Sequence, residues 1–316
     1  MITIQDIWEA SVTIRDYVHK TPLVSSKTLS EMAGCEVWLK CENLQKTGSF
    51  KARGAFNAIL HMTEEQKAHG VTCYSAGNHA QAVCYAAKQA GIKAYLYIPE
   101  TASQSKVDAC KGYGGEITLY GKNGSEVAPL CKKFSEEQDV YYIDPCEDPY
   151  LQAGQGTSGL EILEQLPDVD VVYVPCGGGG LMSGVSTAIK ALSPRTKVIG
   201  VEPETANCCK VSFDAKEIRP IERQYSIADG LGGTAPGPLA FETINAHVDD
   251  MITVSDEEIA AATRLLMERC KQFVEPSGAA SLAGLLSGKG PKGKKCVCLL
   301  SGGNVNNQVI ADILTK

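Results

Sequence analysis

Short apolar runs that alternate with helical stretches constrain the fold of this 316-residue chain more than any other feature. The apolar runs predict strands at 36–41, 71–74, 94–98, 116–120, 140–143, 169–174, 197–201 and 296–300. Helical patterns separate most of these runs, and such alternation gives parallel sheets with right-handed crossovers. Because the chain is longer than a usual single domain, we expect an α/β protein with two lobes around a cleft.

Capping residues predict where three of the helices begin. Thr3 precedes a first helix, Thr63-Glu-Glu-Gln66 has capping-box spacing, and Ser255-Asp-Glu-Glu258 opens an amphipathic helix. Residues 210–238 show little periodicity by comparison. Irregular chain of this length is usually a functional flap or an interface loop, so we expect one of these there.

Composition excludes several classes of partner. A net charge of −7 argues against nucleic acid, and no apolar run approaches the roughly 18 residues that span a bilayer. The N-terminus does not read as a signal peptide, so we expect a cytoplasmic protein with no membrane partner. Thirteen scattered cysteines without a Cys-x-x-Cys pair indicate neither a zinc site nor a disulfide framework. We interpret the adjacent Cys208 and Cys209 as free thiols.

Three glycine-bearing stretches, at 75–80, 175–181 and 300–304, each follow a predicted strand. Open α/β sheets place their ligand sites at such strand ends. In the second stretch four consecutive glycines open a helix, and their backbone N–H groups can converge on an anion such as a phosphate. The run lacks both the Gly-Lys-Ser/Thr ending of a nucleotide triphosphate loop and the acidic ribose partner of an NAD fingerprint. The phosphate therefore belongs to another kind of compound.

Lys51 is the candidate for covalent chemistry. It lies in the stretch 43–57, between a glycine-containing turn and a small, apolar run, with Phe50 and Ala52 on either side. A lysine amine becomes a nucleophile or base when burial lowers its pKa, and its characteristic product with a carbonyl is a Schiff base. A Schiff-base lysine together with a phosphate cradle suggests pyridoxal 5′-phosphate (PLP) as the cofactor.

Five motifs occur in the order found in the fold type II PLP enzymes of the threonine dehydratase and serine racemase family. They are Glu42-Asn-Leu-Gln-Lys-Thr-Gly-Ser-Phe-Lys51, Ser75-Ala-Gly-Asn-His79, Gly154-Gln-Gly-Thr157, the tetraglycine run and Ser301-Gly-Gly-Asn304. The chain resembles this family from Asp6 to its C-terminus. The resemblance implies an α/β fold of the tryptophan synthase β type, two parallel-sheet lobes with the cofactor in the cleft. It implies a small domain, 48–144, inserted into a large domain formed by 1–47 and 145–316.

The resemblance also implies a role for each motif. Lys51 is expected to hold the cofactor and to act as the catalytic base. Asn78 is expected to bind the 3′ oxygen of PLP, and Ser301 to face its pyridine nitrogen. The expected cofactor-binding residues are Phe50, Lys51, Asn78, Gly177, Gly178, Gly179, Gly180, Leu181 and Ser301. The expected contacts to a substrate carboxylate are Ser75, Ala76, Gly77, Asn78 and His79.

Ser301 and Ala76 favour elimination over racemisation. A hydroxyl at position 301, unlike an aspartate, does not hold a proton on the pyridine nitrogen. Racemases of this family carry a serine where this chain has Ala76, and an alanine cannot move a proton on the second face of the substrate. We therefore predict an L-threonine/L-serine dehydratase, an ammonia-lyase that forms 2-oxobutanoate or pyruvate plus ammonia.

Three alternatives stay open at this stage: a serine racemase, a hydroxyaspartate dehydratase and a non-catalytic PLP-binding protein. The missing serine at Ala76 argues against the racemase. Val127, where some racemase relatives have an arginine, leaves no evident cation for the second carboxylate of hydroxyaspartate. The intact surroundings of Lys51 argue against the third. We expect an amino-acid substrate and a homodimer or homotetramer.

No metal is expected. Relatives with a divalent cation use positions that correspond to Glu202, Ala206 and Cys208, and the second carboxylate is missing here. Hard cations prefer oxygen ligands, so a thiol is a poor replacement. The sequence stops at Lys316 without the regulatory domain of biosynthetic threonine dehydratases. The resemblance is therefore to the short, catabolic type.

Overall fold

The computed structural model describes residues 1–75, 77–102, 104–222 and 224–315. The strands are β1 Leu23–Ser25, β2 Glu36–Cys41, β3 Val71–Tyr74, β4 Ala94–Ile98, β5 Glu116–Leu119, β6 Tyr141–Tyr142, β7 Val171–Pro175, β8 Lys197–Pro203, β9 Asp250–Val254 and β10 Lys295–Leu300. The helices are α1 Ile4–Ile14, α2 Lys27–Ala33, α3 Lys51–Leu60, α4 Glu64–His69, α5 Asn78–Ala90, α6 Gln104–Gly112, α7 Gly124–Gln138, α8 Pro149–Gln165, α9 Gly180–Leu192, α10 Cys208–Ala215, α11 Pro238–His247, α12 Asp256–Cys270, α13 Pro276–Ser287 and α14 Asn307–Thr315.

These strands form two sheets. The larger has the order β1-β2-β10-β7-β8-β9 and the smaller the order β5-β4-β3-β6. All pairs are parallel except β1 with β2, which is a short antiparallel edge that the sequence did not predict. The predicted fold class is thus confirmed, with two α/β lobes. Within the described residues, no helix is both long and apolar enough to cross a membrane.

Helices cover both faces of the larger sheet. One face packs against α2, α12 and α13, and the other against α9, α10 and α11. All five residues of β7 are consequently buried, as expected for a central strand of a covered parallel sheet. The smaller sheet has α3 and α5 on one face and α7 on the other.

The strands of the smaller sheet all lie within residues 71–142, inside the range 48–144 predicted for the small domain. Helix α3 connects the lobes, because its buried residues share a core with α5 and also with Leu151 of α8. A core shared in this way does not mark a boundary, so the domain limits stay predictions.

Local capping signals predicted helix starts well. Thr3, Thr63 and Ser255 each form the complete capping box at the start of α1, α4 and α12. The prediction of irregular chain from 210 was wrong for 210–215, which are the end of α10. No side chain at the N-cap position of this helix caps it among the described residues. Its first N–H groups instead donate to the Glu202 carboxylate, a partner that local sequence does not reveal.

Close contact between α8 and α9 predicts opposite effects for two glycine substitutions. A Cβ on Gly184 would meet the backbone of Gln152 and Gly156, whereas a Cβ on Gly112 in α6 meets nothing within 4 Å. Gly184→Ala should therefore lower the free energy of unfolding by about 1–3 kcal/mol through overpacking. Gly112→Ala, the matched control, should leave it unchanged or raise it by up to about 1 kcal/mol. Urea unfolding measures both, and equal effects would contradict the packing of α8 on α9.

Candidate active site

Lys51 is the first residue of α3, and the turn before it is fixed to the end of β10. Thr47 and Gly48 have φ of 57° and 75°, in the left-handed region that brings the chain sharply round. Ser49 forms a β-bridge with Gly302, and the Phe50 N–H donates to the Ser301 carbonyl at 3.0 Å. The lysine motif and the Ser301 motif therefore form one unit, although they are far apart in the sequence.

The amine of Lys51 is placed for reaction. Its Nζ donates to the Pro145 carbonyl at 2.6 Å and lies 5.2 Å from the centre of the Phe50 ring. Burial lowers the pKa of Lys51, although the nearby acidic groups of Cys146 and Asp144 oppose the effect. A lowered pKa leaves more of the neutral amine, which is the form that acts as nucleophile or base.

The tetraglycine run turns the chain from β7 into α9. No side chain in the described part of the chain caps this helix at Gly179, whose φ of 90° favours glycine. A Cβ on Gly178 would collide with the Cys146 thiol, and one on Gly180 would lie 3.0 Å from the Cys146 Cα. Lys51 and the glycine turn thus contact consecutive residues, Pro145 and Cys146. The helix start that includes Leu181 offers free N–H groups beside the lysine amine.

A second helix start lies at the end of β3. The Ser75 Oγ accepts the Gly77 N–H at 3.1 Å, and α5 then begins at Asn78 without a side-chain cap among the described residues. Ala76 lies outside the described residues. An uncapped N-terminus attracts an anion, which suits this loop to a carboxylate.

The ring of His79 is engaged by the backbone of another segment. Its ring is buried and its Nε2 donates to the Ile143 carbonyl at 3.0 Å. Burial, reinforced by the charge of Lys51, lowers the pKa of His79 to about 3, so the ring is neutral at ordinary pH. What His79 offers a carboxylate is therefore its backbone N–H.

Asn78 is held by two partners that lie far away in the sequence. Its Nδ2 donates to Glu275 Oε1 at 2.7 Å, and its Oδ1 accepts from Asn304 Nδ2 at 2.8 Å. Sequence reasoning missed Glu275, a buried residue before Pro276 at the start of α13. Burial and then the charge of Asp229 raise the pKa of Glu275 to about 8. The one sequence feature that could have drawn attention to Glu275 is its position directly before Pro276, which starts a helix.

The remaining predicted residues are placed as follows. Ser301 is buried directly after β10, and Gly302 beside it approaches Glu275 so closely that a Cβ there would lie 2.5 Å from Oε1. Val127 packs with Tyr97 and Cys131 on the far face of the smaller sheet, away from Lys51. The ends of β3, β7 and β10 therefore bring Lys51, the glycine turn, Asn78 and Ser301 close to one another.

The positions used for a cation in some relatives are buried here. Both oxygens of Glu202 accept backbone N–H groups, from Cys209 at 3.0 Å and Lys210 at 2.7 Å. Burial raises the pKa of Glu202 to about 8. Ala206 and Cys208 are also buried, and the Cys208 thiol lies 3.9 Å from Glu202 Oε1.

These residues fit PLP. The cofactor combines an aldehyde, which an amine of lowered pKa can attack, with a phosphate, which an uncapped helix start can bind. The structure offers both in Lys51 and the glycine turn, and Cβ atoms on Gly178, Gly179 or Gly180 would crowd the turn.

Comparisons with known proteins agree with this reading of the site. A family model described as "Pyridoxal-phosphate dependent enzyme" matches residues 14–302. The chain is 44% identical to L-threonine ammonia-lyase of Thermotoga maritima, over 100% of this chain and 79% of that protein. It is 41% identical to the L-threonine dehydratase catabolic TdcB of Staphylococcus aureus strain N315, over 99% and 92%.

Solved structures of serine racemase and threonine deaminase also match this chain. Maize serine racemase superposes with a TM-score of 0.95 at 38% identity, covering 99% of this chain and 97% of that one. The threonine deaminase from T.th. superposes with a TM-score of 0.91 at 40% identity, covering 96% and 99%. This chain belongs to the family of pyridoxal-phosphate dependent enzymes.

Proposed function

We propose that this chain is an L-threonine/L-serine ammonia-lyase, or dehydratase. It converts L-threonine to 2-oxobutanoate and L-serine to pyruvate, each with release of ammonia. The observation that carries the proposal is the Lys51 amine, which contacts Pro145 next to an uncapped glycine turn. Relatives named threonine ammonia-lyase and threonine dehydratase support it over nearly the full chain.

We assign the cofactor contacts to residues that the fold brings into the cleft. Backbone N–H groups of Gly177, Gly178, Gly179, Gly180 and Leu181 would bind the phosphate. Asn78 would bind the 3′ oxygen, because Glu275 and Asn304 hold its amide in one orientation. The Ser301 hydroxyl would face the ring nitrogen, and Phe50 would pack near Lys51. When bound, PLP supplies the electron sink that makes the substrate Cα acidic.

Lys51 is the proposed base. With its pKa lowered by burial, the amine takes the Cα proton from one face of the substrate. The carboxylate of the substrate would be held by the N–H groups at the start of α5, those of Asn78 and His79, together with Ser75 and Gly77. The Lys106 Nζ, which pairs with Asp229 at 2.9 Å, lies 3.7 Å from the position of a Cβ on Gly77 and is the nearest cation to this loop among the contacts of Gly77. The carboxylate thus fixes which hydrogen faces Lys51.

Elimination is favoured over racemisation because of Ala76. Racemisation needs an acid or base on each face of Cα, and alanine supplies none. Likeness to maize serine racemase does not decide the matter, because the same fold serves both reactions. Val127 is buried in the core of the small lobe and supplies no cation, which leaves no evident partner for the second carboxylate of hydroxyaspartate. A cytoplasmic location and a homodimer or homotetramer stay predictions.

The direct test is the release of ammonia and 2-oxo acid from L-threonine, L-serine, D-serine and threo-3-hydroxyaspartate with added PLP. Lys51→Ala should lower turnover of L-threonine by about 10²-fold or more, because general-base catalysis is lost. Lys88→Ala, which removes an exposed lysine of α5, is the control and should keep full activity. A wild-type protein that binds PLP but forms no oxo acid from any of the four would refute the ammonia-lyase.

Glu275 gives a prediction for pH dependence. The folded-state pKa of about 8 lies above the ordinary 4.5, so the folded protein keeps a proton that the unfolded chain releases. The stability due to this proton is complete below about pH 4.5 and is lost as pH rises to about 8. Each unit of pKa difference corresponds to roughly 1.4 kcal/mol. Glu275→Gln, which is always neutral, should therefore lose roughly 1–3 kcal/mol less unfolding free energy than the wild type between pH 5 and 8.

Denaturant unfolding at both pH values, with saturating PLP, measures this difference. Glu65→Gln changes an exposed carboxyl of α4 and should keep the wild-type pH dependence. If Glu275→Gln also keeps it, Glu275 is not the protonated group that orients Asn78.

A further inference from the structure

Three buried side chains that can each lose a proton lie together beside Gly177, the first residue of the glycine turn. Cys176 follows β7, Glu202 lies in β8 and Cys209 is the second residue of α10. Their two Sγ atoms and a carboxylate oxygen all lie within 4.8 Å of one another, and all three side chains are buried. None of them belongs to the proposed catalytic cleft.

The cluster contains further donor atoms. The Cys209 thiol donates to the Gly177 carbonyl at 3.0 Å, and the Cys208 thiol lies 3.6 Å from the same oxygen. Cys208 is also 3.9 Å from Glu202 Oε1. Two sulfurs and a carboxylate oxygen therefore lie close together, with the Gly177 carbonyl beside Cys209 and the Cys208 thiol next to Glu202.

Capping of α10 explains only part of this arrangement. Glu202 accepts the N–H groups of Cys209 and Lys210 and so satisfies the start of the helix. Capping requires no sulfur, however, and the structure shows no cation among the described residues that pairs with Glu202. Burying a carboxylate without a cationic partner is costly. A bound cation would remove that cost.

We propose that Cys176, Glu202 and Cys209 bind one thiophilic divalent cation, for which Zn²⁺ is the best chemical match. Thiolates and a carboxylate are zinc ligands, whereas Mg²⁺ and Ca²⁺ require oxygen donors. Ligand atoms on a tetrahedral zinc lie about 3.5–4 Å apart. Small side-chain movements would therefore bring the three ligand atoms, now within 4.8 Å of one another, to the spacing that zinc requires. The Cys208 thiol or the Gly177 carbonyl supplies the fourth ligand. Binding releases the thiol protons to solvent.

The sequence pointed to Glu202 through the relatives that bind a cation, but not to Cys176 and Cys209, because these ligands come from a strand end and a helix rather than from a Cys-x-x-Cys pair. A cation here would also tie α10 to Gly177, the first residue of the turn assigned to the phosphate. Metal loading is therefore expected to strengthen cofactor retention. This consequence rests on the proposed cofactor site, but the metal site itself does not.

The test is metal binding by the PLP-loaded enzyme, kept reduced and first stripped with a chelator. After dialysis against Zn²⁺ with excess Mg²⁺, mass spectrometry of the metal content should give about one zinc per chain. Cys176→Ala, Cys209→Ala and Glu202→Gln should each weaken zinc binding at least tenfold. Cys298→Ala removes a buried cysteine of β10 outside the cluster and should still bind one zinc.

Two further measurements keep the result clear if a variant folds poorly. Co²⁺ bound to the wild type should show tetrahedral thiolate bands in the red, where PLP does not absorb. Cys209→Ser keeps a donor for the Gly177 carbonyl and should still lose zinc. The proposal is overturned if the reduced wild type binds no zinc, if it prefers Mg²⁺, or if the cysteine variants bind as tightly as Cys298→Ala. The test uses no activity assay, so a negative result for the metal site can be distinguished from a failure of the proposed reaction.

Discussion

The ion pairs of the buried Arg53 guanidinium are the interaction on which the position of Lys51, the proposed base, depends. Its Nε and one terminal nitrogen each donate to the Glu42 carboxylate at 2.8 Å, and both terminal nitrogens donate to Glu161 at 2.7 and 2.9 Å. These pairs join the turn after β2, α3 and α8. Lys40 extends the network to the same Glu161 carboxylate. Removing one partner of such a buried pair costs about 3–5 kcal/mol, because a charge is left unpaired.

This network determines where Lys51 points. Arg53 lies two residues after Lys51 on α3, and the next residue, Gly54, is pressed against Leu151 and Gln155 of α8. The preceding turn is fixed to Gly302 by a β-bridge. With both ends of this short segment fixed, the lysine can reach the Pro145 carbonyl but has little freedom to leave the cleft. Precise placement of a base in this way is a large part of catalysis.

The sequence predicted those parts of the molecule whose chemistry is local. Strands β2 and β3 were predicted with their observed limits. The motifs around Lys51 and the glycines are contiguous, so their residue types alone indicated a Schiff-base lysine and a phosphate-binding turn. Contacts between distant segments were missed. Glu275 reaches Asn78 across 197 positions, and α10 is capped by a carboxylate from β8. Three-residue β1 is too short for periodicity to reveal.

Three buried glutamates differ in whether a cation lies beside them, and this difference separates the one in the scaffold from the two beside the proposed sites. Burial alone would raise the pKa of each, yet Arg53 lowers that of Glu42, which stays ionised in the scaffold. Glu202 and Glu275 lack such a cation among their described hydrogen-bond partners, and burial raises both pKa values to about 8. The uncompensated carboxyls flank the glycine turn and Asn78. A buried carboxyl without a cationic partner keeps a proton because its charge would be costly, and these two lie beside the proposed metal and cofactor sites, whereas the compensated charge of Glu42 holds the fold.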